Sequence, residues 1–272
     1  MRDIFRSLCL WLVILIIIAA FLFPLYIMLK ISLSAPQDIF RQNPPYLIEH
    51  PTLKHFGDVL SSGSAFYQPL RKSLWTALWA SIISLLLAIP AAYAIAQFHY
   101  RLRYTLIMAI FLSRMIPEVS IALPIAVSFI QMGLFDTTPG LVLAHLIRIL
   151  PVSCFILVGV FGAFPRDLEN QARIDGCSRP RAILRVVLPL SLTGISVAAI
   201  FSFLLSWDEF IYASYLCLAK PTMPLKVYYY VSRGNLFHSA TYAVIITIPV
   251  LVLTFALQRY IRPEYLSGSI KG

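Results

Sequence analysis

Four ionisable side chains stand inside otherwise apolar stretches: Arg114, Glu118, His145 and Arg148. A charge in hydrocarbon is costly, so its presence there points by default to function. Arg114 and Glu118 have the i,i+4 spacing that brings two side chains together on one helix face. They can hide each other as an internal ion pair, or they can line a path for a polar solute. Arg148 takes no assignment from the sequence. His145 in such a setting is more often a hydrogen-bonded packing residue than a proton relay. Trp207, Asp208 and Glu209 close the fifth apolar stretch and join the pathway candidates. Trp207, Tyr212 and Tyr215 are expected at the outer interface, where an aromatic belt explains them at least as well as stacking on a solute does.

Catalytic patterns are missing from the chain. No Gly-x-x-x-x-Gly-Lys-Ser/Thr cradles a nucleotide. Neither His-Glu-x-x-His nor Gly-x-Ser-x-Gly occurs. Cys9, Cys154, Cys177 and Cys217 show no metal or redox spacing, and no disulfide is expected. The chain reads as a non-enzyme without a metal or cofactor of its own.

Binding chemistry is concentrated in residues 165–189, a polar, arginine-rich stretch between two apolar ones. Connectors between neighbouring helices are usually about 2–8 residues long, so this one has structure of its own. Pro165 suits a helix start. Leu168, Ala172 and Ile174 form a small apolar face, and Gly176 can take the left-handed conformation that ends a helix. Ser178 is an N-cap for a second helix with Pro180 in its first turn. That helix presents Ala182, Ile183, Val186 and Val187 before Pro189. The segment can lie on anionic lipid as an amphipathic element, or it can dock a soluble partner.

The same stretch resembles the EAA loop of ABC-importer permeases, whose pattern is Glu-Ala-Ala-x-x-x-Gly followed by Ile-x-Leu-Pro. Arg173-Ile174-Asp175-Gly176 and Leu188-Pro189 match, with Glu169 and Ala172 at the flanks. Asn170 and Gln171 stand where the family usually has Glu and Ala. Trp207-Asp208-Glu209-Phe210 resembles the Trp-Asn-Glu-Phe stretch after the fifth helix in carbohydrate permeases. Arg71-Lys72-Ser73-Leu74 resembles the Asn-Ser-Leu start of the second helix, with Lys72 in place of Asn. Ser267-Gly268-Ser269-Ile270-Lys271-Gly272 resembles the Gly-Ala-Val-Lys-Gly tail of that branch. Together these cover almost the whole chain and point to the type I permease subunits of the carbohydrate-uptake branch.

The resemblance implies an all-α membrane protein of six transmembrane helices with a cytoplasmic coupling loop. It implies a sugar or sugar-like solute, with a glycerol phosphate or another polar solute as the alternative. Its partners would be a second permease subunit, an ATPase dimer that binds ATP and Mg, an extracytoplasmic solute-binding protein, and membrane lipid. Glu169, Asn170, Gln171, Ala172, Arg173, Asp175 and Gly176 would dock the ATPase. An ion-coupled secondary transporter is the rival, but the inverted repeat such folds carry is not visible.

The elements that must hold these residues follow from composition. Hydrophobic residues make up 59% of the chain and charged ones 12%, against about a quarter charged in a soluble domain. Mean hydropathy is +0.80. Six apolar runs read as spanning helices: 8–29, 73–98, 104–130, 141–164, 190–207 and 240–257. The first has no charge over the ~20 residues a span requires and is expected to be retained rather than cleaved. Basic residues are denser on the side holding both termini, which places both in the cytoplasm of a bacterial or archaeal inner membrane. Lys72 beside Arg71 at an outer helix end weakens that asymmetry. The net charge of +10 therefore belongs to membrane topology and implies no nucleic acid. The expected division is a first helix with a long outer loop (1–72), a permease core (73–260) and a cytoplasmic tail (261–272).

Overall fold

The computed structural model describes residues 2–258, so the tail motif at 267–272 and the expected tail 261–272 lie outside the described residues. Helices dominate because backbone polar groups among apolar side chains must be satisfied within their own segment. The first is α1 (Arg2–Leu33), followed by the short α2 (Pro36–Ile39) and α3 (Lys54–Leu60). Then come α4 (Ser64–Gln97), α5 (Tyr100–Ser113), α6 (Glu118–Gln131) and α7 (Thr138–Gly162). The polar stretch forms α8 (Arg166–Ile174) and α9 (Arg179–Ala182), a π-helical turn at Ile183–Val187, and α10 (Leu188–Leu190). The remainder is α11 (Leu192–Trp207), α12 (Ile211–Leu216), α13 (Met223–Ser232) and α14 (Leu236–Gln258).

Among the described residues, four helices are long and apolar enough to cross a membrane, and the count reaches six where each of two bent pairs is taken as one span. The six-span reading therefore holds, but two spans are not straight. α5 and α6 meet at 77°, and the stretch Arg179–Leu190 meets α11 at 75°. The first bend falls at Pro117, the N-cap of α6, whose ring ends α5 upstream. The second follows Pro189, which cannot donate to the carbonyl a turn earlier. A π-helical turn precedes it and absorbs the lost register.

The chain groups into two compact units. One is Met1–Tyr67 with Met223–Pro249, the other Gln68–Thr222 with Val250 onwards. This differs from the division by sequence order, because Met223–Pro249 associates with the first helix and the loop that follows it. In the first unit, His55 stacks on Phe237 at 4.6 Å and Phe40 meets the same ring edge-on at 5.7 Å. Lys30 donates to the carbonyl of Pro45, and the Tyr26 hydroxyl to that of Tyr46, folding the loop before α3 back on α1. The apolar side chains of α1 from Leu10 to Phe23 are exposed, as suits a helix facing lipid.

The second unit contains the main core. Ala88, Ala92 and Ala96 of α4 are buried against Cys154, Leu157 and Phe161 of α7, with Ala198 of α11. Between apolar helices there is little hydrophobic drive, so small residues that let backbones close up decide the packing. Gly194 is the clearest case. A Cβ there would lie 2.3 Å from a Val160 methyl. Hydroxyls supply the polar glue: Ser84 of α4 donates to Ser153 of α7 at 2.9 Å, and Ser153 lies 2.8 Å from Ser202 of α11.

Gly194→Ala should lower the thermal stability of the purified protein by about 1–3 kcal/mol through overpacking. Adding Val160→Ala should recover most of that loss in the same melting experiment. Equal stability of Gly194→Ala and wild type would contradict the close approach.

Candidate functional site

The polar loop is built around a glycine stop. In α8 the acids Asp167 and Glu169 fall in the first turn and Arg173 in the last, as the helix dipole favours. Gly176 stands at φ +91°. The N–H of Cys177 donates to the carbonyl of Ala172 at 3.0 Å, and that of Gly176 to Arg173 at 3.1 Å. This pair of bonds is a Schellman motif, and its left-handed position is cheap only for glycine. Ser178 sits at the next N-cap in extended conformation, but its side chain makes no capping bond. Ala182 and Val187 are buried and Ile183 and Val186 half-buried, as the sequence pattern predicts.

The expected apolar face of α8 is different. Ile174 is 84% exposed and Leu168 also faces outward, whereas only Ala172 is half-buried. The buried residue is acidic: Glu169, expected among the docking residues, is 7% exposed and turned into its own chain. The Tyr93 hydroxyl of α4 donates to Glu169 Oε1 at 2.6 Å. The Arg179 Nε lies 3.9 Å from the same oxygen. Asn170, Gln171, Arg173 and Asp175 are exposed and free to meet another surface.

A second polar cluster lies at the α5–α6 bend. Arg114 pairs with Glu118 at 3.1 Å, as its spacing predicts, but across the α5–α6 break rather than along one helix. Arg148 of α7 reaches Glu118 at 3.8 Å and Asp208 at 3.9 Å, which gives it the assignment its sequence lacked. An apolar cavity of about 270 Å³ opens beside Arg114, lined by Phe111, Pro151 and Phe155 among others. His145 is a buried packing residue, with Nδ1 2.7 Å from the Ser206 hydroxyl. Its Nε2 lies 3.1 Å from Glu209 Oε2. Glu209 is buried and accepts the N–H groups of Tyr212 (2.7 Å) and Ala213 (3.1 Å), capping α12.

Two aromatic assignments need correction. Trp207 is 2% exposed and stacked on Phe203 at 5.8 Å, and Tyr212 is fully buried. Neither is a belt residue at an interface. The turn at Asp208–Phe210 folds back, so the residues around it enter the core.

Sequence reading missed one clamp altogether. Lys72 is 6% exposed and donates to Asp136 at 3.2 Å and to the Lys220 carbonyl at 2.6 Å. Asp136 stands at φ +54°, a region Asp tolerates better than most residues. It also accepts the Ala219 N–H at 3.0 Å. Burial pushes its carboxyl up, but the Ala219 N–H and the Lys72 ammonium outweigh this and hold it below its usual range. The Lys72 charge is thus neutralised within the chain. Asp38, Glu49 and His50 also come within 4.8 Å of one another. Their atoms are taken up internally: Arg41 holds Glu49 at 2.8 Å and His50 holds Asp38 at 3.1 Å.

A polar helix pair between the fourth and fifth spans is what the sequence resemblance implied. Residues 64–266 match the family described as binding-protein-dependent transport system inner membrane component. The chain belongs to this family. It is a non-catalytic permease subunit of an ABC importer, a class in which ATP hydrolysis resides in a separate subunit. It is 32% identical over 216 residues to the trehalose transport system permease protein SugB of Mycobacterium tuberculosis, covering 77% of this chain and 79% of that one. It is 24% identical over 260 residues to the inner membrane ABC transporter permease protein YcjP of Escherichia coli, covering 92% and 91%. It also shares its fold with a chain of a bacterial ABC transporter that imports the acidic polysaccharide alginate. That match has a TM-score of 0.78 at 18% identity and covers 96% of this chain and 98% of the other.

The sign of the Asp136 contribution follows from its lowered pKa. Its stabilisation is fully present above the ordinary carboxylate value of about 4 and lost as pH falls through the lower folded value. Asp136→Asn should cost about 3 kcal/mol by stranding the buried Lys72 ammonium. It should also flatten the acid limb of the stability profile. An unchanged acid limb would contradict the clamp.

Proposed function

We propose that this permease forms half of a translocation pathway for a carbohydrate-like solute and docks its ATPase through residues 165–189. The observation that carries this reading is α8 itself. It is stopped by a Schellman turn, anchored from behind by Glu169, and presents Asn170, Gln171, Arg173, Ile174 and Asp175 outward. A short amphipathic helix held in that way suits insertion into a groove of a soluble partner.

In this account the loop and both termini face the cytoplasm. An ATPase dimer binds ATP and Mg there, a second permease subunit completes the pathway, and an extracytoplasmic binding protein delivers the solute. The family description, which names binding-protein dependence, supports the last of these. The sugar named for a relative supports the solute class. The cluster of Arg114, Glu118, Arg148 and Asp208 offers alternating donors and acceptors suited to hydroxyl groups along the path. Its charges pair with one another.

Gly176→Leu tests the reading. A branched side chain at φ +91° disrupts the turn while leaving the spans alone. Trehalose uptake by the reconstituted complex should fall to background, with membrane insertion of the chain unchanged. Normal uptake would rule out this role for the turn.

A further inference from the structure

We propose that Glu169 and Tyr93 form a tether through which the docking loop pulls on one end of α4, with Pro90 as the bending point. The inference rests on the docking reading above and specifies how motion leaves the loop.

Glu169 is distinctive within α8. Arg166, Asp167 and Arg173 are exposed, whereas Glu169 is buried. Its bond from the Tyr93 hydroxyl is 2.6 Å, in the range of charge-assisted O–H···O⁻ bonds. Tyr93 packs edge-on against Phe161 of α7 at 5.9 Å, so the ring is fixed as well as the hydroxyl. The Arg179 guanidinium approaches the same carboxylate and lies 5.9 Å from the centre of the Tyr93 ring. The second half of the loop is thereby gathered onto the same point. A second line runs parallel: Arg166 donates to the carbonyl of Ala96 at 3.2 Å, one turn further along α4.

The middle of α4 is held elsewhere. Ser84 is bonded to Ser153 of α7, which lies beside Ser202 of α11. Between the fixed Ser84 and the pulled Tyr93 stands Pro90, inside the helix. Proline removes one backbone hydrogen bond and clashes with the preceding turn, so a helix bends there most easily. A pull on Tyr93 and Ala96 therefore bends the loop end of α4 at Pro90, and Phe161 of α7, packed on the Tyr93 ring, moves with it relative to the Ser84–Ser153–Ser202 level. Glu169 and Tyr93 are positioning residues in this scheme and touch neither solute nor nucleotide.

The test uses the full chain assembled with its ATPase partner in nanodiscs. Nitroxide labels are placed at Phe98→Cys, beyond the tether, and Phe201→Cys, beside the fixed Ser202, in a chain freed of native cysteines. Adding ATP and Mg should change the distance between labels by on the order of 2 Å. Tyr93→Phe keeps the ring and removes only the hydroxyl. It should retain ATPase capture and hydrolysis while losing most of that distance change. The same change in Tyr93→Phe, or none in wild type with the ATPase bound, would overturn the tether. Loss of ATPase capture in Tyr93→Phe would make Tyr93 a shaper of the docking surface and also overturn it. A wild-type chain that captures no ATPase would overturn the docking reading, and the tether with it.

Discussion

A charged or hydroxyl group held among apolar helices has no water to bond with, so its partners must come from the chain itself. This constraint organises the second unit at three levels. Near one end, His145 and Ser206 meet beside Glu209, which caps the helix after the fold-back turn. In the middle, Ser84, Ser153 and Ser202 link three helices. Near the docking loop, Tyr93, Glu169 and Arg179 close the series. Each level joins α7 or α4 to a neighbour, and between levels the contacts are small apolar side chains. Polar partners set the register and small residues allow the approach.

The constraint also explains the two bends. A proline that breaks a span frees backbone groups and opens room for charges. Arg114 and Glu118 occupy the break before α6, and Arg148 from α7 completes the group. The cluster thereby lies beside a cavity rather than inside a continuous helix. This arrangement allows motion, because separate helical pieces can turn against each other without tearing a long hydrogen-bond ladder.

Much of this was legible beforehand, and the exceptions are instructive. The apolar runs marked the candidate spans but not the two breaks, because length and the absence of charge are read directly from the chain. Gly176 marked the loop's stop for an equally local reason, the left-handed position. The Arg114–Glu118 pair followed from spacing alone. Long-range partners were not readable. Nothing near Glu169 in sequence announces Tyr93, and nothing near Lys72 announces Asp136. Glu169 was therefore assigned to the exposed face, and Lys72 counted as a free outer charge. Trp207 was misplaced for a related reason. Its position at the end of an apolar run suggests an interface, but the following turn carries the chain back into the core. Local chemistry predicted elements and stops; burial depended on contacts far apart in sequence.

The central claim is that α8 meets a soluble ATPase rather than the membrane surface. A photo-crosslinking amino acid at Ile174, the most exposed apolar position of that helix, measures this directly. Irradiation of the assembled transporter in native membranes should join the chain to its ATPase partner, and a crosslinker at the buried Glu169 should not. Crosslinking from Ile174 to lipid alone, with the ATPase present, would contradict the account.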